Sequence, residues 1–248
     1  MGISHDNIKI IIEEIKSSKF TIIAARPGMG KTALALNIAH YLAYSEPASV
    51  IAYFTLEMTT KQILERLFSF ITNTDYKSVK NTNFSIHELQ KPICSNLIID
   101  DTSGFDLPTL KNILTSMKGM SLKYIFIDYL QLMDSDKNRN RQKQIDEILV
   151  SLKTISEQYD ISIILLSQLN RVIEQRPDKR PKITDLQYLT ALETNVNKIV
   201  FLYRDDAYTK KSCLALRHAE LSFVGVETKS KMTEMVSFCP ETLSFVGF

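Results

Sequence analysis

Ala25-Arg26-Pro27-Gly28-Met29-Gly30-Lys31-Thr32 has the residue types and spacing of a phosphate-binding loop, G-x-x-x-x-G-K-[ST], except that Ala25 stands where the pattern begins with glycine. Gly28 and Gly30 let the backbone curl so that successive amides point inward, forming an anion nest at a helix start. Lys31 would reach the β- and γ-phosphates of a nucleotide, and the Thr32 hydroxyl would complete the coordination of a magnesium ion. Ala33 closes the candidate nucleotide-binding stretch. The competing reading is a glycine-rich strand-to-helix turn with a solvated lysine. The position of Gly-Lys-Thr at a strand-to-helix junction favours the loop.

Other polar residues fall at the ends of apolar runs. Glu57 follows Val50–Thr55, and in open α/β sheets the carboxyl edge of the strands is where ligands bind. A solvated acid favoured by the dipole of the next helix is the alternative there. Tyr124-Ile125-Phe126-Ile127-Asp128 has the form of a Walker B strand, whose acid holds magnesium through its water shell. Gln168 lies beyond the apolar run Ile161–Leu166. With the loop upstream, Glu57, Asp128 and Gln168 are expected to converge beside it.

The elements that must position these residues follow from periodicity. Phe20–Ala25 reads as a buried strand, and 33–44 as an alanine- and leucine-rich helix stopped by Ser45-Glu46-Pro47. Ile8, Ile11, Ile12 and Ile15 mark one face of an amphipathic helix over Asp6–Lys16, facing the core or a neighbouring subunit. Ile63, Leu64, Leu67, Phe68 and Ile71 keep helical spacing after Glu57. Residues 73–92 read as a loop with a short helix near Ser85–Leu89, Leu97–Ile99 as a strand, and Leu107–Met117 as a helix. Asp134–Lys143 is a basic loop, solvated or in contact with phosphates, followed by a helix through Ile145–Ile155. Arg171–Lys182, with two prolines, is too irregular for a helix, and 185–195 reads as one. Lys198–Tyr203 reads as a strand ahead of Arg204. The runs Ser212–Arg217, Leu221–Val226 and Met235–Phe238 form an antiparallel extension with a charged tip at Thr228–Lys231. The expected fold is α/β, a mostly parallel central sheet flanked by helices with a C-terminal antiparallel extension. Residues 1–19 are a helical lead-in and 20–248 one domain.

Composition excludes several classes. The 248 residues are 44% hydrophobic and 23% charged, as in ordinary globular proteins. No apolar run approaches the ~18 residues of a spanning helix, and the first residues lack a signal peptide's layout, so a cytoplasmic protein with no membrane partner is expected. Cys94, Cys213 and Cys239 are scattered and odd in number, and His5, His40, His87 and His218 show no metal spacing. A net charge of +2 is too small to announce nucleic acid by itself.

In order along the chain, ARPGMGKT, FTLEM, FIDYLQLM, SQLNR, EQRPDKRP and FLYRDDAY resemble the ATPase domain of the DnaB-type replicative helicases, from about Phe20 to Tyr208. Ala25 is frequent in that family. The resemblance implies a RecA-like core, hydrolysis of ATP with Mg2+ during DNA replication, movement on single-stranded DNA, and a ring, usually a hexamer, with each nucleotide at a subunit boundary. It implies that Lys31 and Thr32 bind phosphate and magnesium, that Glu57 is the catalytic glutamate polarising the attacking water, and that Asp128 is the Walker B acid. Gln168 then matches the γ-phosphate sensor, and Arg204 an arginine near the nucleotide. The chain departs from the family in two places. Gln187-Tyr188-Leu189-Thr190 stands where an Arg-Glu-Ser-Gly-like string lines the DNA channel. Lys229-Ser230-Lys231 stands where a Lys-x-Arg pair reaches the neighbour's γ-phosphate, a finger role worth ~10³ or more in rate in other NTPases. Lysine lacks arginine's planar fork. These departures keep a second expectation open, a diverged RecA-like ATPase that binds nucleotide and a protein partner without unwinding DNA.

Overall fold

The computed structural model describes residues 6–103, 105–128, 130, 141–186, 192, 194–208, 217–226 and 230–246, with backbone alone at 6–10, 141–142, 217–218 and 246. The helices are α1 (Asp6–Lys16), α2 (Lys31–Ser45), α3 (Thr60–Thr72), α4 (Tyr76–Asn81), α5 (Ile86–Gln90), α6 (Leu107–Ser116) and α7 (Arg141–Tyr159). The strands are β1 (Phe20–Ala25), β2 (Val50–Thr55), β3 (Leu97–Asp100), β4 (Leu122–Asp128), β5 (Ser162–Gln168), β6 (Lys198–Tyr203), β7 (Arg217–Gly225), β8 (Lys231–Cys239) and β9 (Ser244–Val246). They form one nine-stranded sheet in the order β3-β2-β4-β5-β1-β6-β7-β8-β9. Pairing is parallel from β3 to β6 and antiparallel from β6 to β9.

β1 shows why the sheet sits at the centre. All of Phe20–Ala25 is buried, with Ile23 and Ala25 packed on one face and Phe20, Ile22 and Ala24 on the other. A parallel strand covered on both faces needs such an unbroken apolar run. The first face carries α1 and α2, and the second carries α6 and α7. Ile11, Ile12 and Ile15 of α1 are fully buried against the first layer, and Lys198 Nζ donates to the Glu14 carbonyl at 2.9 Å. That face of α1 therefore packs on this chain's own core.

Local chemistry sets the ends of the helices that flank the site. Thr59 and Gln62 form a reciprocal capping box at the start of α3, and Asn73 closes it in the left-handed conformation at φ 52. Asp106 caps α6, with a proline in its first turn.

Several expected boundaries shift. α2 begins at Lys31 rather than 33, because Gly30 is already its cap. Residues 73–92 contain α4 besides α5; α4 buries only Val79, which leaves no periodic signal to read, and is started by the Asp75 cap. Arg171–Gln175, expected to be irregular, is a 3-10 turn capped by Asn170. Gln168 is the last residue of β5, paired with Ala25, rather than lying past the strand. β8 reaches back to Lys231, and the short β9 carried too few residues to show a pattern. The expected loop over 134–140, most of the helix over 185–195 and the run 212–216 lie outside the described residues.

Candidate active site

The carboxyl ends of β1, β2, β5 and β6 open together onto a cleft of ≈ 660 Å³ above the start of α2. Gly28 and Gly30 hold φ values of 80° and 99°, left-handed conformations that side chains resist. Gly30 caps α2 with no side-chain cap bond and no acid in the first turn, so the positive end of the helix faces the cleft. A Cβ at Gly30 would lie 3.6 Å from the Phe238 and Phe245 rings, an ordinary contact, so backbone strain rather than crowding reserves the position for glycine. Gly30→Ala is expected to cost about 1–2 kcal/mol of stability, read from the denaturant midpoint, and to weaken nucleotide binding by distorting the nest.

Asp128 is 1% exposed and ends β4. Its Oδ2 accepts hydrogen bonds from Thr32 Oγ1 at 2.8 Å and from the Tyr53 hydroxyl at 3.0 Å. Its Oδ1 lies 3.5 Å from Lys31 Nζ and accepts no hydrogen bond among the described residues. A buried carboxylate oxygen without a donor, beside a threonine hydroxyl, is a donor set of hard oxygens that fits a magnesium ion. Burial pulls the Lys31 ammonium below its usual range, against the opposing charges of Asp128 and Glu57. Burial and the Asp128 charge push the Tyr53 phenol well up, so it stays a neutral donor.

Glu57 is exposed on the turn after β2 and lines the cleft. Thr55 Oγ1 folds that turn, accepting from Met58 N at 3.1 Å and donating to Met58 O at 2.9 Å, while Leu56 N donates to the Asp128 carbonyl at 2.7 Å. The turn is thus sewn to the strand end that carries Asp128. Gln168 lines the opposite wall, fixed beside Ala25 by the sheet register.

Other expected residues contribute differently. Arg26 borders the cleft, and its buried guanidinium donates to Glu174 Oε1 at 2.6 and 2.8 Å and to the Leu169 carbonyl at 2.8 Å, so its side chain ties the loop to the turn after β5. The Met29 side chain is buried in the core. Ala25 is likewise buried, Ala33 lies at the cleft's base, and exposed Pro27 forms its rim. Arg204 borders the cleft, paired to Asp206 at 2.6 and 3.1 Å and stacked 4.5 Å from the centre of the Phe238 ring. In the segment Arg171–Lys182, Arg176 is held by Asp185 at 2.8 and 2.9 Å and Arg180 by Glu220 at 2.8 Å.

Lys231 starts β8 opposite Val224, beside the first residues of β6. That is the sheet edge opposite the loop, about 20 Å away at ~3.3 Å per residue along the six residues of β6. Lys231 therefore does not reach its own chain's cleft. Lys229 and Gln187–Thr190 lie outside the described residues.

Sequence reasoning did not anticipate the far wall, where Gln62 and Arg66 of α3 face Phe238, Pro240 and Leu243 across the cleft. Gln62 and Arg66 sit one turn apart, away from the buried stripe of α3, a placement readable only once the helix is known to border a ligand. The β8–β9 turn is held over α2 by Asn37, which donates to Leu243 O at 3.3 Å and accepts from Phe245 N at 2.7 Å. No local pattern announces that contact between residues far apart in sequence. Tyr53 read only as strand filler.

Residues 4–236 match the family described as DnaB-like helicase C terminal domain. A probable plasmid replicative DNA helicase of Chlamydia psittaci is 36% identical over 211 residues, covering 82% of this chain and 46% of the relative. The replicative DNA helicase DnaC of Bacillus subtilis (strain 168) is 37% identical over 201 residues, covering 77% of this chain and 44% of its own length. The chain thus spans about half the length of the curated relatives it matches. A solved DnaB-like replicative helicase, described with its interactions with primase, superposes with a TM-score of 0.82 at 30% identity, covering 94% of this chain and 61% of that one. The fold is RecA-like, as expected. With a match across nearly its whole length and the RecA-like sheet in place, this chain belongs to the family of DnaB-like helicase C-terminal domains.

Proposed function

We propose that the chain is the ATP-hydrolysing motor of a replicative DNA helicase, acting in the cytoplasm on single-stranded DNA. The observation that carries this is the convergence of Lys31, Thr32, Glu57 and Gln168 on one cleft, with buried Asp128 bonded to Thr32 and paired to Lys31 behind it. Lys31 neutralises the β- and γ-phosphates, and the amides of the loop cradle them at the start of α2. Thr32 and Asp128 would hold Mg2+, which would supply charge neutralisation at the phosphates. Glu57 orients the attacking water and takes its proton, and Gln168 contacts the γ-phosphate. Arg204 supports the loop through its stack on Phe238 and its 3.4 Å contact to the Met29 carbonyl.

Residues 20–248 form the motor, with the stretch 1–19, which contains α1, leading into it. The chain is read as a subunit of a head-to-tail ring, a hexamer, in which Lys229 and Lys231 act on the neighbour's nucleotide; the distance of Lys231 from its own cleft fits that role in trans. No helix among the described residues is long and apolar enough to cross a membrane.

Sedimentation with and without ATP and a short DNA strand tests the ring. Hexamers formed with both ligands are expected. A persistent monomer would contradict the ring and favour an ATPase that serves a protein partner without unwinding DNA.

A further inference from the structure

Tyr53 lies on β2, beside β4, and pairs in register with Phe126, two residues before Asp128. Its ring is fully buried and stacked on Phe126, with centroids 5.7 Å apart and planes at 16°. The hydroxyl reaches past this stack to Asp128 Oδ2 at 3.0 Å, where the Thr32 hydroxyl also donates at 2.8 Å. One carboxylate oxygen thus holds two short hydrogen bonds, and the other, Oδ1, has the Lys31 ammonium at 3.5 Å and no short hydrogen bond among the described residues. Rotating the carboxylate, which is 1% exposed, would break both bonds, and a buried acceptor left unpaired is costly.

We propose that Tyr53 is a positioning residue for the divalent cation: its hydroxyl locks the Asp128 carboxylate so that Oδ1 faces the nucleotide cleft. The inference rests on reading that cleft as a magnesium–nucleotide site. Thr32 alone gives one anchor, on a side chain that must also serve the ion. Tyr53 gives a second anchor from a rigid, stacked ring on the neighbouring strand. The hydroxyl also draws some charge from the carboxylate, which weakens attraction for a cation. Fixed orientation outweighs that loss, since partners that orient metal-binding carboxylates are typically worth ~10-fold or more in metal affinity.

The test is Mn2+ binding to the protein with ADP, followed by electron paramagnetic resonance without turnover. Tyr53→Phe should raise the half-saturating Mn2+ about 10-fold while leaving ADP binding without metal near wild type. Tyr53→Met, which removes the same hydroxyl with a more adaptable side chain, should show the same shift. In an Asp128→Asn background, Tyr53→Phe should add nothing, because its effect passes through that carboxylate. An unchanged Mn2+ requirement in both single variants, or an equal loss of ADP binding with and without metal, would overturn the proposal. Wild-type protein that binds neither ADP nor Mn2+–ADP would instead overturn the functional reading beneath it.

Discussion

Lys31→Ala is expected to lower ATP hydrolysis by about 10²–10³-fold, the usual effect of removing one preorganised group that stabilises charge in a transition state. Lys31 is 13% exposed and 3.5 Å from Asp128, so its ammonium sits where solvent screening is weak and each charge counts for more than at a surface. Two effects on the fold oppose each other. The variant removes a lysine whose burial is unfavourable, and it leaves the buried Asp128 without its nearest cation. The melting temperature should therefore move far less than the rate. Steady-state hydrolysis and a thermal melt on the same preparation check both halves, and a variant hydrolysing ATP within a few-fold of wild type would contradict the assignment.

Glu57→Gln should separate binding from chemistry. Glu57 sits exposed on a turn whose shape is set by Thr55 and by the Leu56–Asp128 backbone bond, so the amide should fit without disturbing its neighbours. Glutamine keeps the size and cannot take a proton. Loss of a positioned general base typically costs about 10²–10⁴-fold, and the expected result is a fall of that order in single-turnover hydrolysis with ATP affinity retained. A parallel loss of affinity would instead make Glu57 a binding residue.

The candidate site was legible as a cluster because its residues are local in sequence or end apolar runs. Gly28, Gly30, Lys31 and Thr32 lie within five residues, and Glu57, Asp128 and Gln168 each sit at the end of an apolar run that a parallel sheet must bury on both faces. Once those runs were read as parallel strands, their carboxyl ends had to share an edge. The rest of the site depends on contacts between distant segments. Arg26 looked like part of the phosphate loop, yet Glu174, far along the chain, sets the direction of its guanidinium. Tyr53 and Phe126 read as strand fillers, and only the β2–β4 register brings the phenol to Asp128. The wall made by Phe238, Pro240 and Leu243 exists because Asn37, buried in α2, finds its partners on the β8–β9 turn.

The two departures from the family bear on what hydrolysis drives, since Lys231 stands at the edge away from its own cleft. The central claim, that this cleft powers movement on single-stranded DNA, is tested most directly by the rate of ATP hydrolysis with and without a DNA strand at low and high salt. Stimulation by DNA that fades as salt rises is expected, because contacts with the phosphate backbone release counterions. A rate unaffected by DNA at either salt concentration would contradict it.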